Sequence, residues 1–298
     1  MQKALVTGAT SFIGANLVEN LANNGYEVIA VARPASHNLH RIPRHENITV
    51  LEFDAAQIDG LSQHIRHVDA FFSLAWEGAR GAARLDEQLQ QENYRATLQA
   101  VRTACVLDAE VFVGCGSQAE YGNFSGITTE QTQENPDAPY GKAKLACRQE
   151  GERIARAHGM RFVWPRIFSI YGPGDFAGTL VASSIEKMLR GESIDCSACT
   201  QLWDYLYVKD AAAALALLAQ EGEGVYNIAS GDVRPLRGYL EEMKQLLQSG
   251  SALHFGPKAG AGIHPSVEKL LSLGWNPRFS FAQGVEQYAA CLQKSSGK

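Results

Sequence analysis

The chain has 298 residues, of which 45% are apolar and 20% are charged. This composition supplies a large buried core and excludes a disordered, collagen-like or mini-protein chain. Because 32 Asp and Glu outnumber 27 Lys and Arg, giving a formal net charge of −5, we expect no nucleic-acid partner.

The cysteines and the apolar runs indicate the compartment. Six cysteines at uneven spacing are too few for a disulfide framework. Met1–Thr10 contains a glycine turn where a signal peptide needs an apolar stretch, and Ala211–Ala219 is far shorter than the ~20 residues of a membrane span. Cys196 and Cys199 lack a second pair or suitably spaced histidines, so we expect no metal site. We expect a cytoplasmic protein with no membrane partner.

Strand-like and helical patterns alternate along the first half of the chain. Lys3–Thr7 predicts a strand, Phe12–Asn23 a helix, and Glu27–Ala32 a strand buried on both faces. The alternation continues with strands at Ile48–Phe53, Ala70–Ala75, Val111–Gly114 and Phe162–Pro165 and helices at Leu85–Leu107 and Tyr140–His158. Repeated βα units predict an α/β fold with a Rossmann-like, doubly wound parallel sheet.

The pattern loosens after about Arg166 into loops rich in Gly and Ser. The helices predicted there are Leu180–Arg190, Leu236–Gln248 and Phe281–Gln293. We therefore expect a Rossmann domain over residues 1–165, to which a segment around 204–230 returns, and a smaller C-terminal lobe over residues 166–298.

A glycine-containing turn, Thr7–Gly14, lies between the first strand and the first helix. A dinucleotide pyrophosphate binds at this place to backbone N–H groups and the positive helix end. Ser11 replaces the middle glycine, so we expect weaker or slightly displaced binding. The cofactor-binding residues expected in this turn are Gly8, Thr10, Ser11, Phe12, Ile13 and Gly14.

The end of the second strand indicates which dinucleotide is bound. A site specific for NAD carries an acidic residue there, whereas this chain has Ala32 and Arg33. The Arg33 guanidinium can hold a 2′-phosphate by charge-assisted hydrogen bonds. The sequence therefore favours NADP(H), with NAD(H) as the alternative.

Three side chains predict a catalytic group. Tyr140 and Lys144 lie four apart on one helical face, so the ammonium can stabilise the phenolate and prepare the phenol for proton exchange. Ser117 follows the Val111–Gly114 strand, where its hydroxyl can hold a carbonyl oxygen beside Tyr140. We predict that Ser117, Tyr140 and Lys144 meet at the carboxyl ends of the strands.

With these motifs the sequence resembles the extended short-chain dehydrogenase/reductase family, the NAD(P)-dependent nucleotide-sugar epimerases, dehydratases and reductases. The resemblance covers nearly the whole chain. Its segments are Thr7–Gly14, Asp54, Ser73–Trp76, Asn93, Gly116–Gly122, Tyr140–Lys144, Pro165–Pro173, Trp203–Asp210, Tyr226–Gly231 and Leu273–Pro277. It implies a homodimer through the helices around 85–107 and 140–158.

The resemblance also implies residue roles. Tyr140 would be the acid/base, Lys144 would bind the nicotinamide ribose, and Ser117 would hydrogen-bond the substrate carbonyl. Residues 1–165 would bind NADP, and residues 166–298 would mainly bind substrate. Further cofactor contacts are implied at Asp54, Ala55, Leu74, Ala75 and Phe168, beside Tyr140 and Lys144. Substrate contacts are implied at Trp76, Ser117, Gln118, Tyr140, Ser169 and Trp203.

Departures from the family pattern narrow the reaction. Gln118 and Ala119 stand where dehydratases carry an Asp-Glu pair, so we expect no dehydration. Glu120, one position further, is expected to point to the other side. The segments Gly116–Gly122 and Ser73–Gly78 look more like reductases of nucleoside-diphosphate 4-keto-6-deoxy sugars. We expect NADPH-dependent reduction of the 4-keto group, with hydride from the nicotinamide and a proton from Tyr140.

Trp203 leaves alternatives open. Many family members have an arginine there that contacts the nucleotide diphosphate. Trp203 either stacks on a base or sugar or packs in the core. The diphosphate could instead be bound by Arg190 or Arg234. A further alternative is a substrate other than a nucleotide sugar. The alternative enzyme is an NAD(P)-dependent epimerase with no net redox change. A non-catalytic NADP sensor is a third hypothesis, against which the intact catalytic group argues.

Overall fold

The first βαβ unit begins the central sheet. In the computed structural model, which describes residues 2–296, β1 (Lys3–Thr7) and β2 (Glu27–Ala32) are parallel neighbours. Helix α1 (Phe12–Asn23) connects them. Ser11 caps the start of this helix: its Oγ accepts a hydrogen bond from Gly14 N at 3.1 Å and satisfies one of the unpaired N–H groups of the first turn.

The other elements follow in chain order. The strands are β3 (Ile48–Glu52), β4 (Ala70–Ser73), β5 (Val111–Val113), β6 (Gly116–Ser117), β7 (Arg161–Ile167), β8 (Ile170–Tyr171), β9 (Ile194–Cys196), β10 (Leu202–Trp203), β11 (Leu206–Tyr207), β12 (Gly224–Ile228), β13 (Arg234–Pro235) and β14 (Leu253–Phe255). The helices are α2 (Glu87–Val106), α3 (Pro139–Ala157), α4 (Leu180–Arg190), α5 (Val208–Glu221), α6 (Leu236–Leu246), α7 (Glu268–Leu271) and α8 (Phe281–Ser296). Short 3-10 helices lie at Leu39–Arg41, Ala55–Gln63, Gly81–Leu85 and Gln118–Glu120. Within residues 2–296, none of the helices is long and apolar enough to cross a membrane.

The central sheet has the order β12-β7-β5-β4-β1-β2-β3, and β6 also pairs with β7. The pairings of β1 with β2 and β4, of β2 with β3, and of β5 with β4 and β7 are all parallel. Strand order reverses between β1 and β4, which opens a crevice at the carboxyl ends of these strands. The predicted α/β class with a Rossmann-like parallel sheet is confirmed.

Aromatic rings run across three strands of this sheet. Phe71 on β4, Phe112 on β5 and Phe162 on β7 are register partners, and their ring centroids are 5.7 Å apart at each step. The Trp164 ring continues the stack, 5.8 Å from Phe162. Each buried aromatic ring contributes about 1.5–3 kcal/mol of apolar burial. A Cβ at Gly114 would lie 2.3 Å from the Trp164 ring, so glycine is required at that position.

The chain divides into two units. The first contains the described residues up to Asn123, Thr132–Ile167 and Ala212–Asn227, and thus most of the central sheet. The second contains Phe124–Gln131, Phe168–Ala211 and the described residues from Ile228 onward.

The second unit has three two-stranded sheets of its own, β10 with β13, β11 with β8, and β14 with β9. Its core is aromatic: the Phe281 ring lies 4.6 Å from the Tyr239 ring and 5.1 Å from the Tyr171 ring. Asp210 accepts hydrogen bonds from Arg278 N and Phe279 N, which fixes the start of α8 beside α5. Burial raises the pKa of Asp210, and these two hydrogen bonds work in the opposite direction.

Candidate active site

A cavity of about 550 Å³ opens where β1, β2 and β4 end. It lies beside the point at which strand order reverses, which is where sheets of this type bind nucleotides. The expected site residues that line it are Gly8, Thr10, Ser11, Arg33, Asp54, Leu74, Ala75 and Trp76. The sequence patterns did not assign Asn38, Phe53 or Glu77, which also line it.

The turn from β1 into α1 is built for close backbone contact. Gly8 has a φ of 65°, and a Cβ there would lie 2.7 Å from Ala75 N. A Cβ at Gly14 would lie 2.2 Å from Gly8 O. The two glycines therefore let the first residues of α1, Phe12 and Ile13, begin the helix beside the cavity. A cavity of this size at a helix N-terminus fits a dinucleotide pyrophosphate.

Ser11 and Thr10 take part in local hydrogen bonds. Because Ser11 Oγ accepts from Gly14 N, that N–H group is already used within the protein. Thr10 Oγ1 accepts from Ser36 Oγ at 3.4 Å, which ties the turn to the loop after β2. The use of the Gly14 N–H by Ser11 is a physical reason to expect a weaker or displaced pyrophosphate contact.

Arg33 and Asp54 follow β2 and β3 on the wall of the cavity. Arg33 Nη1 is 3.9 Å from Glu77 Oε2, and both side chains are at least 70% exposed, so this ion pair is weak. The Arg33 guanidinium can therefore exchange Glu77 for an anionic ligand. Ala55 begins the 3-10 helix Ala55–Gln63, and its side chain lies outside the described part of the structure.

Ser117 lies on β6 and caps the 3-10 helix Gln118–Glu120. Its Oγ accepts a hydrogen bond from Ala119 N at 3.2 Å. A hydroxyl that accepts in this way keeps its own O–H available to donate, as contact with a carbonyl oxygen requires. The neighbouring Gln118 is half-buried, and its Oε1 has no hydrogen-bond partner among the described residues.

Tyr140 and Lys144 lie on the first turns of α3, which begins with Pro139. Both side chains are buried. A Cβ at Gly141 would lie 2.4 Å from Ala119 O, so glycine lets the start of α3 approach the segment that follows Ser117. Lys144 Nζ donates to Cys115 O at 2.6 Å, two residues before Ser117. These contacts bring the three predicted catalytic residues to one end of β5, β6 and α3.

Trp76 connects this group with the cavity. Its ring lines the cavity and meets the Tyr140 ring edge-on, with centroids 5.8 Å apart. Lys144 Nζ lies 3.4 Å from the centroid of the Trp76 ring, within the range of a cation–π interaction. The Tyr140 ring and the Lys144 ammonium therefore contact a side chain of the cavity wall, although Ser117, Tyr140 and Lys144 are not themselves among the residues that line the cavity.

A buried ionic network lies behind Ser117. Glu120, fully buried, accepts hydrogen bonds from Ser117 N (2.8 Å), Trp164 Nε1 (3.0 Å) and Arg166 Nε (2.9 Å). Arg166 also pairs with Glu134. Burial, the largest single influence, acts to lower the pKa of Arg166. The charges and hydrogen bonds of Glu120 and Tyr121 together outweigh burial, so the pKa lies above its ordinary value. The Glu120 carboxylate thus points into the protein and fixes the backbone of Ser117.

Three expected site residues, Phe168, Ser169 and Trp203, belong to the second unit. Phe168 and Ser169 connect β7 to β8, and Phe168 N donates to Ile228 O at 3.1 Å. Trp203 lies on β10 opposite Arg234 of β13. Its side chain is half-buried, and its Nε1–H has no hydrogen-bond partner among the described residues.

The two arginines considered as alternative cations are already paired with carboxylates. Arg234 Nη2 is 2.5 Å from Glu242 Oε2, and its Nε is 3.3 Å from Asp232 Oδ2. Arg190 Nε is 2.7 Å from Glu192 Oε1. An anionic ligand would have to displace these carboxylates, so neither arginine offers an uncompensated charge.

The six cysteines are free thiols in the structure, and burial raises the pKa of Cys196 to about 11. Over residues 2–296, no group of three or more His, Cys, Asp or Glu side chains is arranged to hold a metal ion.

The fold and the cavity together define a dinucleotide-binding α/β enzyme. The sequence model of the NAD dependent epimerase/dehydratase family matches residues 4–229. The chain belongs to this family. The membership of the extended short-chain dehydrogenase/reductases that the motifs predicted is thereby confirmed.

Relatives cover the whole chain at low identity. CDP-abequose synthase of Salmonella muenchen is 25% identical over 96% of this chain and 96% of its own length. A putative UDP-glucose 4-epimerase of Methanocaldococcus jannaschii is 26% identical over 98% of this chain and 99% of its own length. The crystal structure of UDP-glucose 4-epimerase from Thermotoga maritima, 24% identical, superimposes with a TM-score of 0.89 over 99% of this chain and 100% of that one. This structural similarity supports the fold.

Proposed function

We propose that the protein is an NADPH-dependent reductase that converts the 4-keto group of a nucleoside-diphosphate 4-keto-6-deoxy-hexose to a hydroxyl. The observation that carries the proposal is the Tyr140 phenol and Lys144 ammonium beside Trp76, which lines the dinucleotide-sized cavity. The nucleotide sugar is proposed to contact Trp76, Ser117, Gln118, Tyr140, Ser169 and Trp203. Phe168 is a proposed cofactor contact.

The chemistry needs a hydride for the carbonyl carbon and a proton for the carbonyl oxygen. A bound nicotinamide supplies the hydride. Tyr140 gives its phenolic proton to the oxygen and recovers a proton from water after the alcohol has formed. Ser117 donates a hydrogen bond to the same oxygen as negative charge develops on it, and the Lys144 ammonium stabilises the phenolate. Carbon gains the two electrons of the hydride, so the balance is one NADPH and one proton consumed per alcohol formed.

Two features favour reduction over the other reactions of the family. Gln118 and Ala119 offer no carboxylate for elimination, and Glu120 is committed to Trp164 and Arg166. Arg33 at the end of β2 supports NADPH, a cofactor that reductases consume and release. The similarity to CDP-abequose synthase supports the same class of substrate.

An epimerase that removes and returns the hydride is the second candidate. The similarity to UDP-glucose 4-epimerases in sequence and in fold favours it. The two candidates differ in cofactor use, because an epimerase consumes no reduced dinucleotide.

The test is anaerobic incubation of the purified protein with NADPH and a panel of dTDP-, GDP-, CDP- and UDP-linked 4-keto-6-deoxy sugars. NADPH absorbance and sugar products are followed together. The reductase is expected to accept sugars linked to one of the four nucleotides and to consume one NADPH for each sugar reduced. Tyr140→Phe should be ~10²–10⁴ slower, because it removes the proton donor, whereas Tyr94→Phe on α2 should retain the rate. Sugar epimers formed without loss of NADPH would establish the epimerase instead.

A further inference from the structure

A second cation lies at the Tyr140 ring in addition to Lys144. The guanidinium carbon of Arg84 is 4.6 Å from the ring centroid of Tyr140, and Lys144 Nζ is 5.7 Å from it. Arg84 is half-buried in the 3-10 helix Gly81–Leu85. Within residues 2–296, neither Arg84 nor Lys144 forms an ion pair with a carboxylate. The Tyr140 ring therefore has two positive charges near it, neither of which is in an ion pair with a carboxylate among the described residues.

The loop that carries Arg84 is fixed by one buried amide. Gln90 on α2, 1% exposed, donates to Ala83 O at 2.9 Å and to Gly78 O at 3.2 Å. Its Oε1 accepts from Trp76 Nε1 at 3.0 Å. Because Gln90 binds the residue before Arg84 and the ring that contacts Lys144, it holds both cations near Tyr140.

Asn93, one turn along α2, fastens the same loop a second time. Its Oδ1 accepts from Glu77 N at 3.0 Å, and its Nδ2 donates to Glu77 O at 2.8 Å. At Gly78 a φ of 67° favours glycine, because other side chains rarely adopt this backbone conformation. A loop with this many fixed points presents Arg84 in one place before any ligand binds.

We propose that Arg84 is a positioning residue that stabilises the Tyr140 phenolate from the face of its ring. A cation over an aromatic ring is attracted by the ring electrons, and the attraction grows when the phenol loses its proton and the negative charge spreads into the ring. Lys144 acts on the same phenolate from α3. The inference rests on the proposed role of Tyr140, which gives its proton to the carbonyl oxygen and recovers it from water.

The kinetic test compares Arg84→Gln, Arg84→Lys and the matched control Arg80→Gln, which removes a positive charge from the same loop. With the substrate identified by the panel, Arg84→Gln is expected to lower kcat by about 10-fold or more, while KM for the sugar and Kd for NADPH stay within about 2-fold. Arg84→Lys should recover much of kcat, and Arg80→Gln should resemble the wild type. A raised KM with unchanged kcat would show that Arg84 binds substrate and would overturn the proposal.

A second test needs no substrate. Tetranitromethane nitrates tyrosinate in preference to tyrosine, and peptide mass spectrometry gives the rate at each tyrosine. Arg84→Gln is expected to slow nitration of Tyr140 relative to Tyr94 by several-fold, and Arg84→Lys to restore it. An equal or faster rate at Tyr140 in Arg84→Gln would overturn the inference. Failure of the proposed function is recognised by a separate result, namely full turnover by Tyr140→Phe. In that case the nitration rates still decide whether Arg84 stabilises the Tyr140 phenolate.

Discussion

Arg33 is the side chain proposed to select NADPH over NADH. Arg33 lines the cavity, and among the described residues its ion pair is the weak contact with Glu77. Arg33→Ala is expected to raise Kd for NADPH by about 10-fold or more, because a charge-assisted contact with the 2′-phosphate is lost, and to leave Kd for NADH nearly unchanged. Fluorescence titration with both dinucleotides measures the two constants. The control is Arg44→Ala, which removes an exposed charge from the same loop at a residue that does not line the cavity. An equal loss of NADPH affinity in both variants would contradict the role proposed for Arg33.

Glu120 is a structural carboxylate whose removal leaves several donors without an acceptor. Glu120→Leu exposes Arg166, Trp164 Nε1 and Ser117 N to an apolar surrounding, with Glu134 as the remaining partner of Arg166. We expect the free energy of unfolding to fall by about 3–5 kcal/mol, as for other buried pairs that lose one member. Urea denaturation measures it. Glu150→Leu breaks the exposed ion pair with Arg153 and should leave the midpoint nearly unchanged; similar midpoints for both variants would count against the network.

The sequence indicates the structural role of Glu120 more clearly than the roles of Arg84 and Gln90. Ser117-Gln118-Ala119-Glu120 is the spacing of a capping box, in which serine and glutamate bond to each other's backbone N–H groups, and the structure has this box. Arg84 and Gln90 lie outside any local motif, since their significance depends on contacts with Tyr140 and Trp76, distant in sequence. Local patterns identify a residue whose partner is three positions away, but not one whose partner is set by the packing of helices.

The start of α3 depends on one small residue. Gly141→Ala would place a Cβ 2.4 Å from Ala119 O and push the helix start away from the segment that follows Ser117. We expect kcat to fall by about 10-fold or more through lost alignment, with the fold retained by circular dichroism. Gly238→Ala in α6 is the matched control, because no atom lies within 4 Å of the added Cβ; it should stabilise the protein by about 0.5–1 kcal/mol and keep full activity. Unchanged kcat in Gly141→Ala would refute the alignment argument.

Some elements could be predicted to the residue and others could not. The predicted bounds of β1, α1, β2 and α4 agree with the structure. The two strands are short continuous apolar runs, the two helices have a helical period, and a turn or capping residue follows each element. Within helix α5 (Val208–Glu221), the sequence indicates only the apolar run Ala211–Ala219. The helix is rich in alanine, whose small side chain is weak evidence for a helical period. Short strands such as β10 and β13 are defined by pairing with each other, which a local pattern does not contain.

The assembly proposed for the whole molecule is a homodimer through α2 and α3, which pack against each other in the first unit. The exposed residues Gln91, Arg95, Arg102 and Val106 recur along α2 at intervals that place them on one face. Val106 is 67% exposed, a large apolar side chain left in water by the single chain. A two-fold axis would bring the same face of a second copy against it, since an isologous interface uses one patch twice.

Val106→Glu is the substitution that tests this interface. A carboxylate on each copy of the same patch would place like charges together in the interface and would have to lose its water. We therefore expect the Val106→Glu variant to be a monomer in size-exclusion chromatography with light scattering. The wild type is expected to have twice the monomer mass. Val50→Glu is the control, because Val50 is 45% exposed on the edge strand β3 and lies outside α2 and α3. The interface through α2 would be contradicted by a monomeric wild type or by a Val106→Glu variant that remains dimeric. Loss of the dimer in Val50→Glu alone would place the interface at the edge of the sheet instead.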